Sequence, residues 1–370
     1  MRRSWAEVDL DAVRHNVRQL LAAADGARLC AVVKADGYGH GAVPVATAAL
    51  DAGARYLAVA QVQEGVDLRR AGIDAPVWVL GEPAPEEFTE ARRHRLEPAI
   101  YSRRGLDAAR STPFDLAPLR CHLKVDTGMH RVGAHPDEVV DLARGLAASP
   151  ATELASLWTH CAVADEPDRP ETARQLAELD AALAALADAD LRPPLVHAAN
   201  TAGTLAHPAA RRDVVRCGIG LHGISPGPGV AGLGGLRPTL SLRTRVAFVK
   251  RVPAGTTVSY GLRGRVDRDA TLATLPIGYA DGFRRGRWDR GSVLIGGVRR
   301  ALVGVVTMDQ VVVNCGDDDV RPGDEAVLIG TQGDQAITVE EWAQEAGTIG
   351  YEIVCGLGPR IERRYRDGFR

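Results

Sequence analysis

Between residues 29 and 216 the chain alternates short apolar runs with longer amphipathic stretches, and there are eight such runs. They are "LCAVVK" (29–34), "RYLAVA" (55–60), "PVWVL" (76–80), "LEPAI" (96–100), "CHLKV" (121–125), "ELASLW" (153–158), "PLVHA" (194–198) and "DVVR" (213–216). Each has the length of a strand and is too continuously apolar to leave one face in water, so the strands are expected to be buried on both faces. The intervening stretches read as helices. "PETARQLAELDAALAALADAD" sets leucines at 176, 179, 183 and 186, close to helical spacing, and "PVATAALDAG" is another candidate. Eight buried strands with helical crossovers predict an α/β architecture of the (β/α)8, or TIM, barrel type. The competing doubly wound sheet lacks its G-x-G-x-x-G fingerprint after the first strand.

The character changes after "GISPGPGVAGLGGLRP", which is dense in glycine and proline. Runs such as "TLSLRTRVAFVKRV", "ATLATLPIGYA", "GSVLIGGVRRALVGVV", "QVVVNCG" and "EAVLIG" are rich in β-branched residues and separated by turn residues. The expected division is a barrel over 1–236 and a mostly β domain over 237–370, with a short helix at "TVEEWAQEAG". The first ten residues, "MRRSWAEVDL", alternate enough to form a strand paired with the second domain.

A net charge of −2 gives no reason to expect a nucleic-acid or membrane partner. The pairs Arg92-Arg93 and Arg363-Arg364 are mixed with acids and read as solvated faces. The N-terminus lacks the apolar core of a secretory signal, and no apolar stretch approaches the roughly 20 residues of a spanning helix. The six cysteines are dispersed without a C-x-x-C pair, and the His–Cys neighbours at 121–122 and 160–161 do not have metal-site spacing. The expectation is a cytoplasmic chain with reduced thiols and no metal.

Chemistry is expected at the C-terminal ends of the barrel strands and in the loops that follow them. The first strand leads to Lys34 and then Tyr38; the fifth to Lys124 and "DTGMHRVG", with Arg131; the sixth to His160. The seventh ends in His197 and leads to Asn200 and Thr201; the eighth gives Arg216, then Cys217, Gly218 and Ile219. Lysine is rare here, three residues (34, 124 and 250) against 42 arginines. Only lysine can lose its proton and form a Schiff base, so Lys34 reads as a nucleophile. The loops after strands seven and eight commonly hold phosphate in such barrels. A lysine facing a phosphate cradle suggests pyridoxal 5'-phosphate, with Arg216 opposite the pyridine nitrogen.

"AVVKADGYGHG" resembles the cofactor-lysine signature of the alanine racemases, fold-type III pyridoxal-phosphate enzymes. "KVDTGMHRVG", "THCA", "HAANTAG", "RCGIGLHG", "VSYG", "LPIGYADGF", "TMDQ" and "GTIGYEIVCGLGPRIERRY" are similar to further motifs of that family, in the same order and over almost the whole chain. The resemblance implies interconversion of L- and D-alanine by two bases, Lys34 and Tyr260 of the partner subunit, in a homodimer with shared sites. It implies D-alanine supply for cell-wall precursors. Tyr38, Asn200, Thr201, Gly218, Ile219 and Tyr351 would surround the phosphate, and Arg216 would keep the ring nitrogen unprotonated. His160 would link Tyr260 to Arg216, since a free tyrosine has a pKa of about 10 and needs help to act as a base. Arg131 and Met308 would contact substrate, and Lys124 matches a lysine often carbamylated in the family. His222, Cys217 and Thr307 depart from the usual tyrosine, proline and cysteine, and His222 and Thr307 bear on the access loops. The alternative is a racemase of broader or different range, acting on serine or basic amino acids.

Overall fold

A computed structural model describes residues 4–112 and 117–368. The chain divides into two compact units, Ala12–Arg237 and the described parts of Met1–Asp11 with Pro238–Arg370. The N-terminal strand β1 (Ser4–Asp9) belongs to the latter, and the helix Leu10–Ala24 follows it.

The first unit holds eight parallel strands: β2 (Arg28–Val32), β3 (Tyr56–Val59), β4 (Val77–Val79), β5 (Leu96–Ile100), β6 (Leu119–Lys124), β7 (Thr152–Trp158), β8 (Val196–His197) and β9 (Val214–Cys217). Neighbours pair in chain order from β2 to β8, and β9 returns to pair with β2, with Cys30 opposite Arg216. The seam between β8 and β9 is irregular. It is joined by Asp213 N–H to the Val196 carbonyl (3.1 Å) and Arg216 N–H to the Ala199 carbonyl (2.9 Å). The barrel is therefore nearly closed, and the strands are buried along almost their whole length, as their apolar runs require. Helices such as Ala42–Asp51, Val139–Ala147 and Glu171–Asp188 supply the crossovers.

Two strands are shorter than their apolar runs. "LCAVVK" stops pairing at Val32, because the backbone turns left-handed just beyond Lys34. "PLVHA" keeps only Val196–His197, at the irregular seam, where the Asp213 carboxylate accepts the Val196 N–H at 2.7 Å.

The second unit is built from β1, β10 (Leu240–Arg245), β11 (Phe248–Val252), β12 (Thr257–Val258), β13 (Gly264–Arg265), β14 (Ala270–Leu275), β15 (Ser292–Ile295), β16 (Val298–Ala301), β17 (Val311–Asn314), β18 (Glu325–Gln332), β19 (Gln335–Ile337) and β20 (Glu362–Arg366). The main sheet runs β16-β15-β18-β10-β1-β20, with β19 on β18; β11-β14-β17 and β12-β13 form smaller sheets. Strand β1 lies antiparallel to β10 and parallel to β20. "TVEEWAQEAG" forms the helix Val339–Ala346, capped by the Thr338 hydroxyl. Trp342 on that helix covers the buried Arg287 guanidinium at 3.9 Å, and Arg287 donates from Nε to Glu345 at 2.6 Å. Among the described residues no helix is long and apolar enough to cross a membrane.

Candidate active site

Directly after Lys34 the chain makes a left-handed turn. Ala35, Asp36, Gly37, Tyr38 and Gly39 have φ of 52°, 52°, 60°, 54° and 78°. Each non-glycine residue there costs about 1–2 kcal/mol, so Ala35, Asp36 and Tyr38 together need outside support. Glu64 gives it: one carboxylate oxygen accepts the Ala35 N–H at 2.6 Å, and the other accepts the N–H groups of Ala60 (2.7 Å) and Gln61 (3.1 Å). Asp36 accepts the Ala42 N–H at 2.9 Å and closes the far side. The turn fixes Lys34 at the mouth of the barrel and folds Tyr38 back into the protein, where it is buried.

Tyr38 meets the loop after β9. A Cβ on Gly218 would lie 2.1 Å from the Tyr38 hydroxyl oxygen, so only glycine leaves room for that ring. The Thr201 hydroxyl accepts the N–H groups of Gly218 (3.2 Å) and Gly220 (3.3 Å). Asn200 caps the short helix Thr201–Ala206, its side-chain oxygen accepting the Gly203 N–H at 2.9 Å, and so holds Thr201 in place. Ile219 is buried in the same loop. Tyr38, Thr201 and Gly218 thus come together as one cradle of two hydroxyls and backbone N–H groups.

Arg216 is buried at the end of β9 and has four hydrogen-bond partners. Nη1 donates to His197 Nδ1 (2.8 Å); Nη2 donates to the carbonyls of Thr159 (2.8 Å) and Ala198 (3.0 Å) and to His160 Nδ1 (3.2 Å). The guanidinium also lies 4.7 Å from the centroid of Trp158. Burial pulls its pKa down to about 10, so it remains a cation at neutral pH. Burial, then the charges of Arg216, Lys124, Arg131 and Lys34, push His160 well below the usual histidine range. Because its Nδ1 accepts from Arg216, the proton of neutral His160 sits on Nε2. Lys124 lies 4.8 Å from the Trp158 centroid, and burial together with Arg216 and Arg131 lowers it to about 8. The structure therefore gathers Lys34, Lys124, Arg131, His160 and Arg216 into one electrostatic neighbourhood.

Arg131 is exposed in the loop after β6. That loop is pinned by Asp126, which accepts the N–H groups of Gly128, Met129 and His130 at 3.0–3.1 Å, and by the bridge between Val125 and Ala134. Three predicted residues belong to the second unit. Tyr260 is 73% exposed on a tight turn in which Ser259, Gly261 and Leu262 all have positive φ. Met308 is 52% exposed on the turn closed by Thr307 and Gln310, and Tyr351 lies in the helix Gly350–Cys355.

Reading the sequence missed Glu64, Trp158 and Gln175. Gln175 accepts the Ala162 N–H (2.8 Å) and donates to the His160 carbonyl (3.0 Å), which fixes the backbone on both sides of Cys161. Only the position of Glu64 at the start of a helix, three residues after Gln61, signalled its capping role. His222 proves to be fully buried, stacked on His40 at 3.8 Å and 5.5 Å from the Tyr38 ring centroid. It backs the left-handed turn rather than lining an access loop, which corrects the expectation. Thr307 accepts the Gln310 N–H and donates to its carbonyl, and Cys217 contacts the Thr204 hydroxyl.

The family models "Alanine racemase, N-terminal domain" and "Alanine racemase, C-terminal domain" match residues 8–226 and 239–365. An alanine racemase of Symbiobacterium thermophilum is 51% identical over 367 residues, covering 99% of this chain and 97% of its own length. The crystal structure of alanine racemase from D-cycloserine-producing Streptomyces lavendulae superposes with a TM-score of 0.93 at 40% identity, covering 100% of this chain and 98% of that one. The alanine racemase from Bacillus anthracis with bound L-Ala-P gives 0.94 at 36% identity, covering 100% and 96%. Matched from end to end in sequence and in fold, this chain belongs to the alanine racemase family of enzymes.

Proposed function

We propose that the chain interconverts L- and D-alanine with pyridoxal phosphate as cofactor and with Lys34 and Tyr260 of the partner subunit as the two bases. The observation that carries this reading is the Arg216 guanidinium, fixed by four protein acceptors on the strand next to the one leading to Lys34. The residues fit the cofactor. The cradle of Tyr38, Thr201 and Gly218 brings together the neutral hydroxyls of Tyr38 and Thr201, which suit a phosphate, and the lysine amine suits its aldehyde. When bound, the cofactor supplies the electron sink that makes the α-proton of an amino acid removable.

Lys34 would hold the cofactor and move a proton at Nζ on one face of the substrate. Tyr260 of the partner subunit would move one at its phenolic oxygen on the other, and inversion requires both faces. Within one chain Tyr260 faces solvent on a strained turn, as suits a side chain offered to a second copy. His160 would donate its Nε2 proton to that phenolic oxygen and favour the phenolate. Arg216, already seated, would donate to the ring nitrogen without giving up a proton. Arg131 would attract the substrate carboxylate, with Met308 of the partner subunit beside it and Tyr351 near the phosphate. D-alanine made this way would feed cell-wall precursors, and the six free cysteines support a reducing, cytoplasmic setting.

The test is an assay of the purified, cofactor-loaded chain on a panel of L-amino acids, with borohydride trapping and peptide mapping. D-alanine should be the main product and the reduced cofactor should map to Lys34. Arg216→Glu should slow racemisation by orders of magnitude and raise pyruvate formation. Mapping to Lys124 or Lys250, or full racemisation by Arg216→Glu, would contradict the reading.

A further inference from the structure

Arg216 carries its charge in the barrel interior, yet among the described residues no carboxylate pairs with it directly. Its partners are two carbonyls, two imidazole nitrogens and an indole face. A buried cation without a counter-ion is costly, so the balancing charge must be sought further off.

The hydrogen bonds lead to one. From Arg216 Nη1 the path runs to His197 Nδ1 (2.8 Å), from His197 Nε2 to Ser156 Oγ (3.0 Å), from Ser156 Oγ to His122 Nδ1 (2.7 Å), and from His122 Nε2 to Glu97 (2.9 Å). All five residues are buried, and they come from β9, β8, β7, β6 and β5. The other Glu97 oxygen accepts from Arg120 Nη1 at 3.0 Å. Trp78 packs on both histidines, 4.8 Å from the His197 ring and 4.5 Å from the His122 ring, and locks their planes.

With both rings neutral, the two ends fix every proton between them. A guanidinium only donates and a carboxylate only accepts, while a neutral imidazole has one donor and one acceptor nitrogen and a hydroxyl has a single proton to give. One arrangement satisfies all four bonds. Arg216 donates to His197, His197 to Ser156, Ser156 to His122 and His122 to Glu97, with both histidines protonated on Nε2 alone. Burial and the Arg216 charge hold His197 well below the usual histidine range, in keeping with a neutral ring. Burial raises Glu97, but the hydrogen bond from His122 and the charge of Arg120 outweigh it and keep the carboxylate ionised.

We infer that Glu97 is a positioning residue for Arg216, its charge and acceptor oxygen acting through His122, Ser156 and His197 to hold the guanidinium in register. Its importance for the reaction rests on the role given to Arg216 above; the coupling itself does not. Aligned donors polarise one another, so a change at Glu97 is felt at His197 without touching it.

The experiment uses the full, cofactor-loaded chain with 15N-labelled histidine, followed by NMR from about pH 6 to about pH 9. His122 and His197 should both appear as neutral Nε2–H tautomers. Glu97→Gln should shift the His197 nitrogen resonances, and should no longer do so when Ser156→Ala has already cut the path. Ser156→Ala alone keeps the fold testable if Glu97→Gln does not fold. In the racemisation assay each variant should lose about tenfold in kcat, the lower end of what outer-shell partners contribute, with KM within about twofold. A protonated or Nδ1–H His197 overturns the inference, as does a Glu97→Gln shift that persists without Ser156. Intact coupling with unchanged kcat also overturns it. The role of Arg216 itself is tested separately by Arg216→Glu.

Discussion

Lys124 and Arg216 share one aromatic ring, their cationic groups lying 4.8 and 4.7 Å from the centroid of Trp158. Burial penalises the charge on the lysine, the repulsion between two cations so placed adds to it, and Lys124 is lowered to about 8.

The pH dependence follows from that value. Below about pH 8 Lys124 is protonated in both folded and unfolded chains, and the folded chain bears the full penalty. As pH rises from about 8 toward 10.5 the folded chain releases its proton first, and stability attributable to Lys124 increases. Urea unfolding in CO2-free buffer should show this rise in wild type minus Lys124→Met. A flat difference would mean the amine is solvated. With CO2 present, the amine that is neutral near pH 8 should add CO2 and release a proton, giving a carbamate whose negative charge suits the surrounding arginines. Labelled CO2 should appear as a carbamate signal that Lys124→Met lacks.

The left-handed turn after Lys34 depends on Glu64, whose two oxygens serve three N–H groups. An amide has one acceptor oxygen, so Glu64→Gln leaves at least one donor facing an NH2 group. A loss of about 1–2 kcal/mol in stability is expected. Cofactor loading, read by absorbance titration, should weaken with it. Unchanged stability and loading would show that the turn holds itself.

Gly218→Ala tests the cradle. Its Cβ would meet the Tyr38 hydroxyl at 2.1 Å and the ring at 2.7–3.0 Å, and Tyr38 is buried, so the side chain must be displaced. The overpacking should cost about 1–3 kcal/mol. Phosphate and cofactor affinity should fall, while Gly286→Ala, where a Cβ meets nothing within 4 Å, should leave both unchanged.

The barrel was legible because its strands are buried on both faces and leave apolar runs that periodicity detects, as "LEPAI" does for Leu96–Ile100. The chemistry at strand ends was legible where a residue type is rare, as Lys34 is in an arginine-rich chain. What sequence hides is pairing across strands. Glu97, His122 and Ser156 are single polar residues in apolar runs, and nothing local says that 2.7–3.0 Å bonds join them. The turn at 35–39 was visible only as a glycine break, since its hand is imposed by Glu64, which lies 29 residues from Ala35. His222 looked like a loop substitution because its burial against His40 depends on the fold of both loops.

The central claim is that Lys34 of one subunit and Tyr260 of the partner subunit serve one site, and subunit exchange tests it most directly. Lys34→Ala and Tyr260→Ala should each be nearly inactive. Mixed under conditions that exchange subunits, half of the dimers become hybrids, each with one intact site of two, so activity should recover to about one quarter of wild type. In deuterated water Tyr260→Ala alone should exchange the α-hydrogen of one alanine enantiomer without inverting it. No recovery after verified exchange, or a fully active monomer, would contradict the account and place both bases in one chain.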